Sequence, residues 1–197
     1  MEPSLYPIAQ AIRDRRTIKK FKPDSIPLEL IRELLDVAVW APNHGLREPW
    51  RFVLYMEEGK QVVVDAILQN AMKKRDPELL LRVPAYLLVI VHEDSRQRER
   101  EEDYAAACTL IQNFQLAAWE RGLGVVWKTE PFTYQAGFLQ AVGVRAEEKL
   151  VGMLQLGFPE VIPEARARTA ANDKLTVIHS NVALEDKKGN VTVTADH

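Results

Sequence analysis

The chain has 197 residues, 47% hydrophobic and 27% charged, which is ordinary for a globular protein able to bury a core of its own. Its 26 basic and 28 acidic residues give a formal net charge of -2, so the overall charge favours neither nucleic-acid binding nor an anionic membrane surface. The single cysteine, Cys108, excludes an internal disulfide and a cysteine-based zinc site, and a reducing cytoplasm is the expected location.

Neither secretion nor membrane insertion is expected. The first ten residues lack the basic start and apolar run of a signal peptide. The longest apolar stretch, Val83 to Val91, is far too short to span a bilayer.

Hydrophobic periodicity predicts helices and strands in an irregular alternation, which favours a sheet with helices packed on both sides. The apolar run 84–91 is typical of a strand buried on both faces. The predicted helices cover residues 8–15, 28–38, 59–74, 104–121 and 134–142, and the predicted strands cover residues 50–56, 84–91, 125–127 and 150–156. Residues 1–170 are predicted to form one domain, and residues 171–197 a polar tail that packs on that body or on a partner subunit.

A basic cluster follows the first predicted helix. Arg15, Arg16 and Thr17 are adjacent, with Lys19 and Lys20 just behind them. Arginine binds phosphate through two hydrogen bonds and threonine adds a hydroxyl donor, so the cluster could hold a dianionic phosphate. The alternative is a solvated basic helix end.

A polar loop, Ala41 to Trp50, is bounded by prolines and contains Pro42, Asn43, His44 and Glu48. Its amide and imidazole groups could hold a planar heterocycle by hydrogen bonds. The alternative is an exposed loop with no ligand.

Two later segments are weaker candidates. The glycines in Gly122-Leu123-Gly124 permit a close backbone approach just before Trp127-Lys128-Thr129, but they follow a helix and do not form GxGxxG, so a Rossmann site is rejected. Arg166 and Arg168 could add phosphate donors or could belong to a solvated loop.

Taken in order, these motifs resemble the FMN-dependent nitroreductase family. Arg15-Arg16-Thr17 looks like its Arg-Arg-Ser/Thr flavin-phosphate motif, and residues 41–44 with 48–52 look like its Ala-Pro…Pro-Trp signature. Residues 122–129 and Leu156-Gly157-Phe158-Pro159 follow in family order. The resemblance spans about residues 7–169, and the small bacterial NAD(P)H nitroreductases are the most similar subgroup.

The resemblance implies an α+β fold with a mixed central sheet flanked by helices, assembled as an intertwined homodimer with FMN at the subunit interface. It also implies roles for individual residues. The residues assigned to the FMN phosphate and ribityl chain are Arg15, Arg16 and Thr17, and Arg168 and Arg166 would complete the phosphate site. The residues assigned to the flavin from the other subunit are Pro42, Asn43, His44 and Glu48. The residues assigned to the edge of the isoalloxazine ring are Trp127, Lys128 and Thr129.

The implied activity is a ping-pong reaction in which NAD(P)H reduces FMN, and FMN then reduces a nitroaromatic, a quinone or another small organic acceptor. Arg16 would stabilise the negative charge of the reduced flavin. His44 is a candidate proton donor, but no protein acid or base and no metal is required.

One residue departs from the family pattern, because Glu130 stands where Gly usually follows Thr129. A carboxylate there would oppose an anionic reduced ring unless it points away. The alternatives are a protein of the same fold with dehydrogenase, dehalogenase or flavin-cleaving activity, an FMN-binding protein with little turnover, and a binding module without flavin.

Overall fold

The structure, a computed structural model, describes residues 6–178. Contacts divide the chain between Glu164 and Ala165 into two compact units. Within its described residues, 165–178, the second unit has one short 3-10 turn, Ala171–Lys174, and its side chains are exposed. The placement of the tail on the body or on a partner stays a prediction, since residues 179–197 lie outside the described range.

The first unit contains the secondary structure that was expected from the sequence, with one short helix added. Its helices are α1 (Pro7–Asp14), α2 (Leu28–Ala38), α3 (Lys60–Asn70), α4 (Pro77–Leu81), α5 (Gln97–Glu120) and α6 (Ala136–Ala141), and its strands are β1 (Trp50–Met56), β2 (Ala85–His92), β3 (Gly124–Lys128) and β4 (Glu148–Gly157).

The four strands form one sheet in the order β1-β2-β4-β3, and each neighbouring pair is antiparallel. Among residues 6–178, parallel pairing occurs at the isolated bridge between Thr17 and Val125. Strand β2 lies inside the sheet, and every residue from Ala85 to Val91 is buried, as its apolar run predicts.

Each face of the sheet carries its own hydrophobic core, because side chains alternate between the faces of a strand. Leu87 and Val89 of β2 pack with residues of α2 and α5. Tyr86 and Leu88 pack on the opposite face with residues of α3 and α6. This arrangement confirms the α+β fold with helices on both sides of the sheet. Within residues 6–178 the sheet is antiparallel, whereas a mixed sheet was expected.

Two helix boundaries differ from the sequence prediction by more than two residues. Helix α5 begins at Gln97 and not at residue 104, because the charged residues before position 104 are held in helical geometry by contacts four residues apart, such as Arg98–Glu102 at 2.8 Å. Helix α3 ends at Asn70, and the segment that follows contains the unpredicted α4. Asp76 caps α4 by accepting a hydrogen bond from the Glu78 N–H at 2.9 Å.

None of the helices within residues 6–178 combines the length and apolar character needed to cross a membrane.

Candidate active site

The basic segment that follows α1 runs along the edge of β3. Thr17 forms the parallel bridge to Val125, and the Ile18 N–H donates to the Val125 carbonyl at 3.2 Å. Farther along, the Lys22 N–H donates to the carbonyl of Phe158, the residue after β4, at 2.9 Å. The predicted phosphate-binding residues are thereby fixed next to the strand that carries the predicted flavin-edge residues.

Two glycines make this close approach possible. A Cβ atom on Gly124 would lie 2.7 Å from the side chain of Ile18, and a Cβ atom on Gly157 would lie 2.7 Å from the ring of Phe21. Ile18 is fully buried, so it fills the space that the missing side chain leaves. The close backbone approach expected after Gly122 is therefore made at Gly124 by the chain's own N-terminal segment.

The two arginines of this segment are partly buried. Arg15 Nη1 donates to the side-chain oxygen of Gln115 on α5 at 3.5 Å. Arg16 Nη1 donates to two backbone carbonyls, that of Arg13 at 2.6 Å and that of Arg15 at 3.0 Å. Arg16 Nε is buried and has no hydrogen-bond partner among the described residues. A buried donor of this kind is costly unless an acceptor satisfies it, so the segment fits an anionic ligand.

The side chains at the end of β3 differ in which of their atoms are free to contact a ligand. The indole of Trp127 lies over Gly152, and its Nε1 donates to the Val151 carbonyl at 3.2 Å, so its polar atom is already engaged. Lys128 is half-buried and Thr129 is exposed. Trp127 can therefore offer a ligand its apolar ring, while Lys128 and Thr129 offer polar atoms.

Glu130, which departs from the family pattern, is held by two cations. Its carboxylate accepts hydrogen bonds from Arg75 and from Lys128, the latter at 3.1 Å. Its backbone carbonyl accepts from the Thr133 hydroxyl at 2.7 Å. The negative charge that would oppose a reduced flavin is thus compensated locally.

The loop between α2 and β1, which we call the α2–β1 loop, is shaped by Asn43. Its Oδ1 accepts from the Glu48 N–H at 3.0 Å, and its Nδ2 donates to the Ala41 carbonyl at 3.3 Å. The loop needs this support because Leu46 and Glu48, neither of them glycine, have positive φ angles of 51° and 45°. Both polar ends of the Asn43 side chain therefore serve the loop itself.

Ion pairs fasten the α2–β1 loop to the N-terminal half of α5. Arg47 donates to the buried carboxylate of Asp103 at 2.9 Å and to Glu102 at 3.0 Å. The hydrogen bond from Arg47 is the main cause that lowers the pKa of Glu102. An open cavity of about 390 Å³ separates this helix from Pro42, Asn43 and His44.

Within one chain, the structure brings some of the predicted site residues together and keeps others apart. Arg15 contacts α5 at Gln115, whereas His44 lies near Glu102, with its Nδ1 4.0 Å from the carboxylate. These two positions on α5 are thirteen residues apart, which corresponds to ~20 Å along a helix. His44 and Arg15 are therefore kept apart within one chain.

Arg166 and Arg168 belong to the second unit, where Arg168 Nη1 donates to the Arg166 carbonyl at 3.0 Å and both side chains are exposed.

Sequence reasoning missed Arg75. It lies in a short basic run, Lys73-Lys74-Arg75, and nothing in that run indicates contact with Glu130, 55 residues away.

Comparison with known proteins assigns the fold and the ordered motifs to one family. The sequence model of the nitroreductase family matches residues 12–158. The chain therefore belongs to the nitroreductase family.

Two similar proteins come from bacteria. The Bacillus subtilis (strain 168) protein named "Putative NAD(P)H nitroreductase YfhC" is 39% identical over 177 residues, 84% of this chain and 91% of the relative. A crystal structure of a nitroreductase-like family protein from Bacillus cereus, also 39% identical, matches 91% of this chain and 100% of its own with a TM-score of 0.84.

The same fold occurs in more distant structures. The FMN-dependent nitroreductase NfnB from Mycobacterium smegmatis, solved in complex with NADPH, is 14% identical and has a TM-score of 0.72 over 89% of this chain and 100% of its own. At that level of identity the likeness establishes a shared fold.

Proposed function

We propose that the protein is an FMN-dependent NAD(P)H oxidoreductase that reduces a nitroaromatic, a quinone or another small organic acceptor. Family membership and the names of the relatives support this activity. The observation that carries it is the pairing of the basic segment with β3, because that segment holds the buried, unpartnered Arg16 donor and β3 carries Trp127 and Lys128.

These residues fit FMN. Arg15, Arg16 and Thr17 would hold the phosphate and ribityl chain, since Arg16 Nε lacks an acceptor and arginine pairs well with phosphate. Trp127 would cover the ring edge with its indole face, and Lys128 and Thr129 would donate hydrogen bonds at that edge. When bound, FMN supplies the two-electron transfer between NAD(P)H and the acceptor.

The side chains around the proposed FMN site would favour negative charge on the bound flavin. The cationic side chains of Arg16 and Lys128 would stabilise such charge in a partly buried site. Glu130 would not counteract them, because its carboxylate is already paired with Arg75 and Lys128.

The complete site would need two copies of the chain. The positions on α5 that His44 and Arg15 approach lie ~20 Å apart in the same chain, so Pro42, Asn43, His44 and Glu48 would reach the flavin of a second copy. Two large apolar side chains of this region are highly exposed, Trp40 at 86% and Leu46 at 81%. Exposed apolar surface is typical of a protein interface, so we propose a homodimer.

Within that loop, His44 would be the residue that faces the ligand. The side-chain amide of Asn43 is occupied by the loop backbone, whereas the side chain of His44 is 61% exposed. His44 would donate a hydrogen bond or a proton to the flavin or the acceptor. Arg166 and Arg168 remain predicted phosphate donors.

Steady-state assays test the proposal. Protein loaded with FMN is mixed with NADH or NADPH and with menadione or a nitrofuran, and oxidation of the nucleotide is followed. We expect turnover with at least one donor and one acceptor. Bound FMN without turnover on any combination would contradict the reductase and would favour an FMN-binding protein.

A variant pair tests the cofactor site itself. Arg16→Gln should weaken FMN binding by at least ~tenfold, since a charged hydrogen bond to phosphate contributes more than a neutral one. Arg13→Gln is the matched control, because Arg13 is exposed on the preceding helix and its replacement removes the same charge. Equal FMN affinity in both variants would remove Arg16 from the site.

A further inference from the structure

Glu130 stands where the family usually has glycine, and two cations balance its charge. Its carboxylate accepts hydrogen bonds from Arg75 Nη2 and from Lys128 Nζ, the latter at 3.1 Å. Two cations and one carboxylate leave this group with one net positive charge. The net charge is therefore the same as that of Lys128 alone, provided that Arg75 is present.

The three charged side chains face the proposed FMN site. Together with Lys19 of the basic segment, Arg75, Lys128 and Glu130 line a cavity of about 140 Å³ that forms part of this site. All three are partly buried. Charges in such a position are screened less than charges in water, so a change in their balance would be felt by a group bound beside them.

The structure holds both partners of the Arg75–Glu130 pair in place. The next residue after Arg75 is Asp76, which caps α4, and the hydroxyl of the fully buried Tyr86 donates to a carbonyl of α4 at 2.7 Å. On the other side, the Glu130 carbonyl accepts from both the N–H and the hydroxyl of Thr133, at 2.8 and 2.7 Å. The ion pair is thus preorganised by the fold.

We propose that Arg75 is a positioning residue that sets the reduction potential of the bound flavin by acting through Glu130. Arg75 neutralises the carboxylate, so the positive charge of Lys128 stays available to the reduced flavin. A cation near the ring stabilises the negatively charged reduced form more than the oxidised form, and so raises the potential. Without Arg75, Glu130 would cancel the charge of Lys128 instead. This inference rests on the proposed FMN site.

The competing explanation is a direct contact between Arg75 and FMN. Arg75 Nε is buried and has no hydrogen-bond partner among the described residues, so this nitrogen is a possible donor to the flavin. The two explanations differ in what happens when Glu130 is neutral. Removing its charge should compensate for the loss of Arg75 only if Arg75 acts through Glu130.

The test is the midpoint potential of the FMN-loaded protein, measured against a reference dye during slow anaerobic reduction. Arg75→Gln should weaken the preference for reduced over oxidised FMN by ~tenfold, since one charge is lost in a partly buried site. A tenfold change corresponds to a fall of about 30 mV for a two-electron couple. Arg75→Lys keeps the charge and should stay near the wild-type potential.

The double variant Arg75→Gln/Glu130→Gln decides between the explanations. It restores one net positive charge, so its potential should return to the wild-type value. A double variant that stays at the potential of Arg75→Gln would overturn the proposal and favour the direct contact.

Lys73→Gln is the matched control for Arg75→Gln. Lys73 is exposed, lies two residues from Arg75 and does not line the cavity, so this change removes the same charge without altering the pair. The control should keep the wild-type potential. Equal shifts in Lys73→Gln and Arg75→Gln would overturn the proposal.

A second measurement tests the ion pair without FMN. Urea denaturation of the FMN-free wild type, the two single variants and the double variant should show that the losses at Arg75 and Glu130 are not additive, since paired residues are coupled. Additive losses would overturn the proposal.

The outcomes separate this inference from the proposed function. A protein that turns over NAD(P)H but shows the same potential in all variants would overturn the inference and leave the reductase intact. The expected shifts in a protein that reduces no acceptor would refute the reductase and support the inference. Failure to take up FMN would overturn both.

Discussion

Replacing Gly124 with alanine should dislodge the basic segment from β3. The added Cβ would lie 2.7 Å from Ile18, whereas ordinary contacts begin at 3.4 Å, so Ile18 must withdraw by about 0.7 Å. Ile18 is fully buried and cannot swing into solvent. Overpacking of this kind costs about 1–3 kcal/mol of the free energy of unfolding. Because Arg16 and Thr17 immediately precede Ile18, these proposed phosphate-binding groups should move with it.

The effect is measured in two ways. Urea denaturation of the FMN-free protein should give a free energy of unfolding lower by about 1–3 kcal/mol, and fluorescence titration should show FMN affinity lower by at least ~tenfold. Gly59→Ala is the matched control, since a Cβ on Gly59 meets no atom within 4 Å and its φ is negative. If Gly124→Ala binds FMN as tightly as Gly59→Ala, the basic segment is not held in place for FMN by β3.

Three further substitutions test other parts of the account. Gly152→Ala should push the Trp127 indole out of its place, which lowers FMN affinity and shifts the tryptophan emission; unchanged emission would contradict the packing. Arg47→Gln should release the α2–β1 loop from Asp103, and light scattering should then show more monomer and less bound FMN; a fully dimeric variant with normal FMN content would remove Arg47 as an anchor. Glu148→Gln tests a titration. Hydrogen bonds from Arg51 on β1 lower the pKa of Glu148 from 4.5 to about 2. The contribution of the ionised Glu148 to stability is therefore present above pH 4.5 and is lost as the pH falls toward 2. The difference in free energy of unfolding between wild type and Glu148→Gln should shrink over that range, and a difference independent of pH would refute the pairing.

Local patterns predicted the elements of this fold well. The alternation in residues 50–56 gives β1 with the predicted ends, and the apolar run 84–91 gives β2 with a shift of one residue. Both signals come from the two-residue period of side chains along a strand. Helix α4 was missed because five residues are too few to show a helical period, and its start depends on one cap at Asp76.

Contacts between distant segments could not be predicted in the same way. The motif Arg15-Arg16-Thr17 is visible in the sequence, but its pairing with β3 joins residues more than 100 positions apart. The pairing of Arg75 with Glu130 likewise depends on how two loops meet. The ordered motifs, through their resemblance to the family, therefore implied FMN as the cofactor, whereas the compensation of Glu130 required coordinates.

The proposed dimer is supported by the family resemblance and, separately, by the geometry of one chain. The resemblance implied that the α2–β1 loop serves the flavin of another subunit. The separation of ~20 Å along α5 between the positions that His44 and Arg15 approach gives an independent physical reason, because it keeps His44 away from the basic segment of its own chain. Exposed Trp40 and Leu46 add the apolar surface that such an assembly would cover.

The visible spectrum of the freshly purified protein, recorded before and after adding NADH or NADPH without oxygen, tests the central claim most directly. We expect flavin absorption near ~450 nm, at one FMN per chain, that bleaches when one or both nucleotides are added. A colourless protein that also fails to take up added FMN would contradict the account.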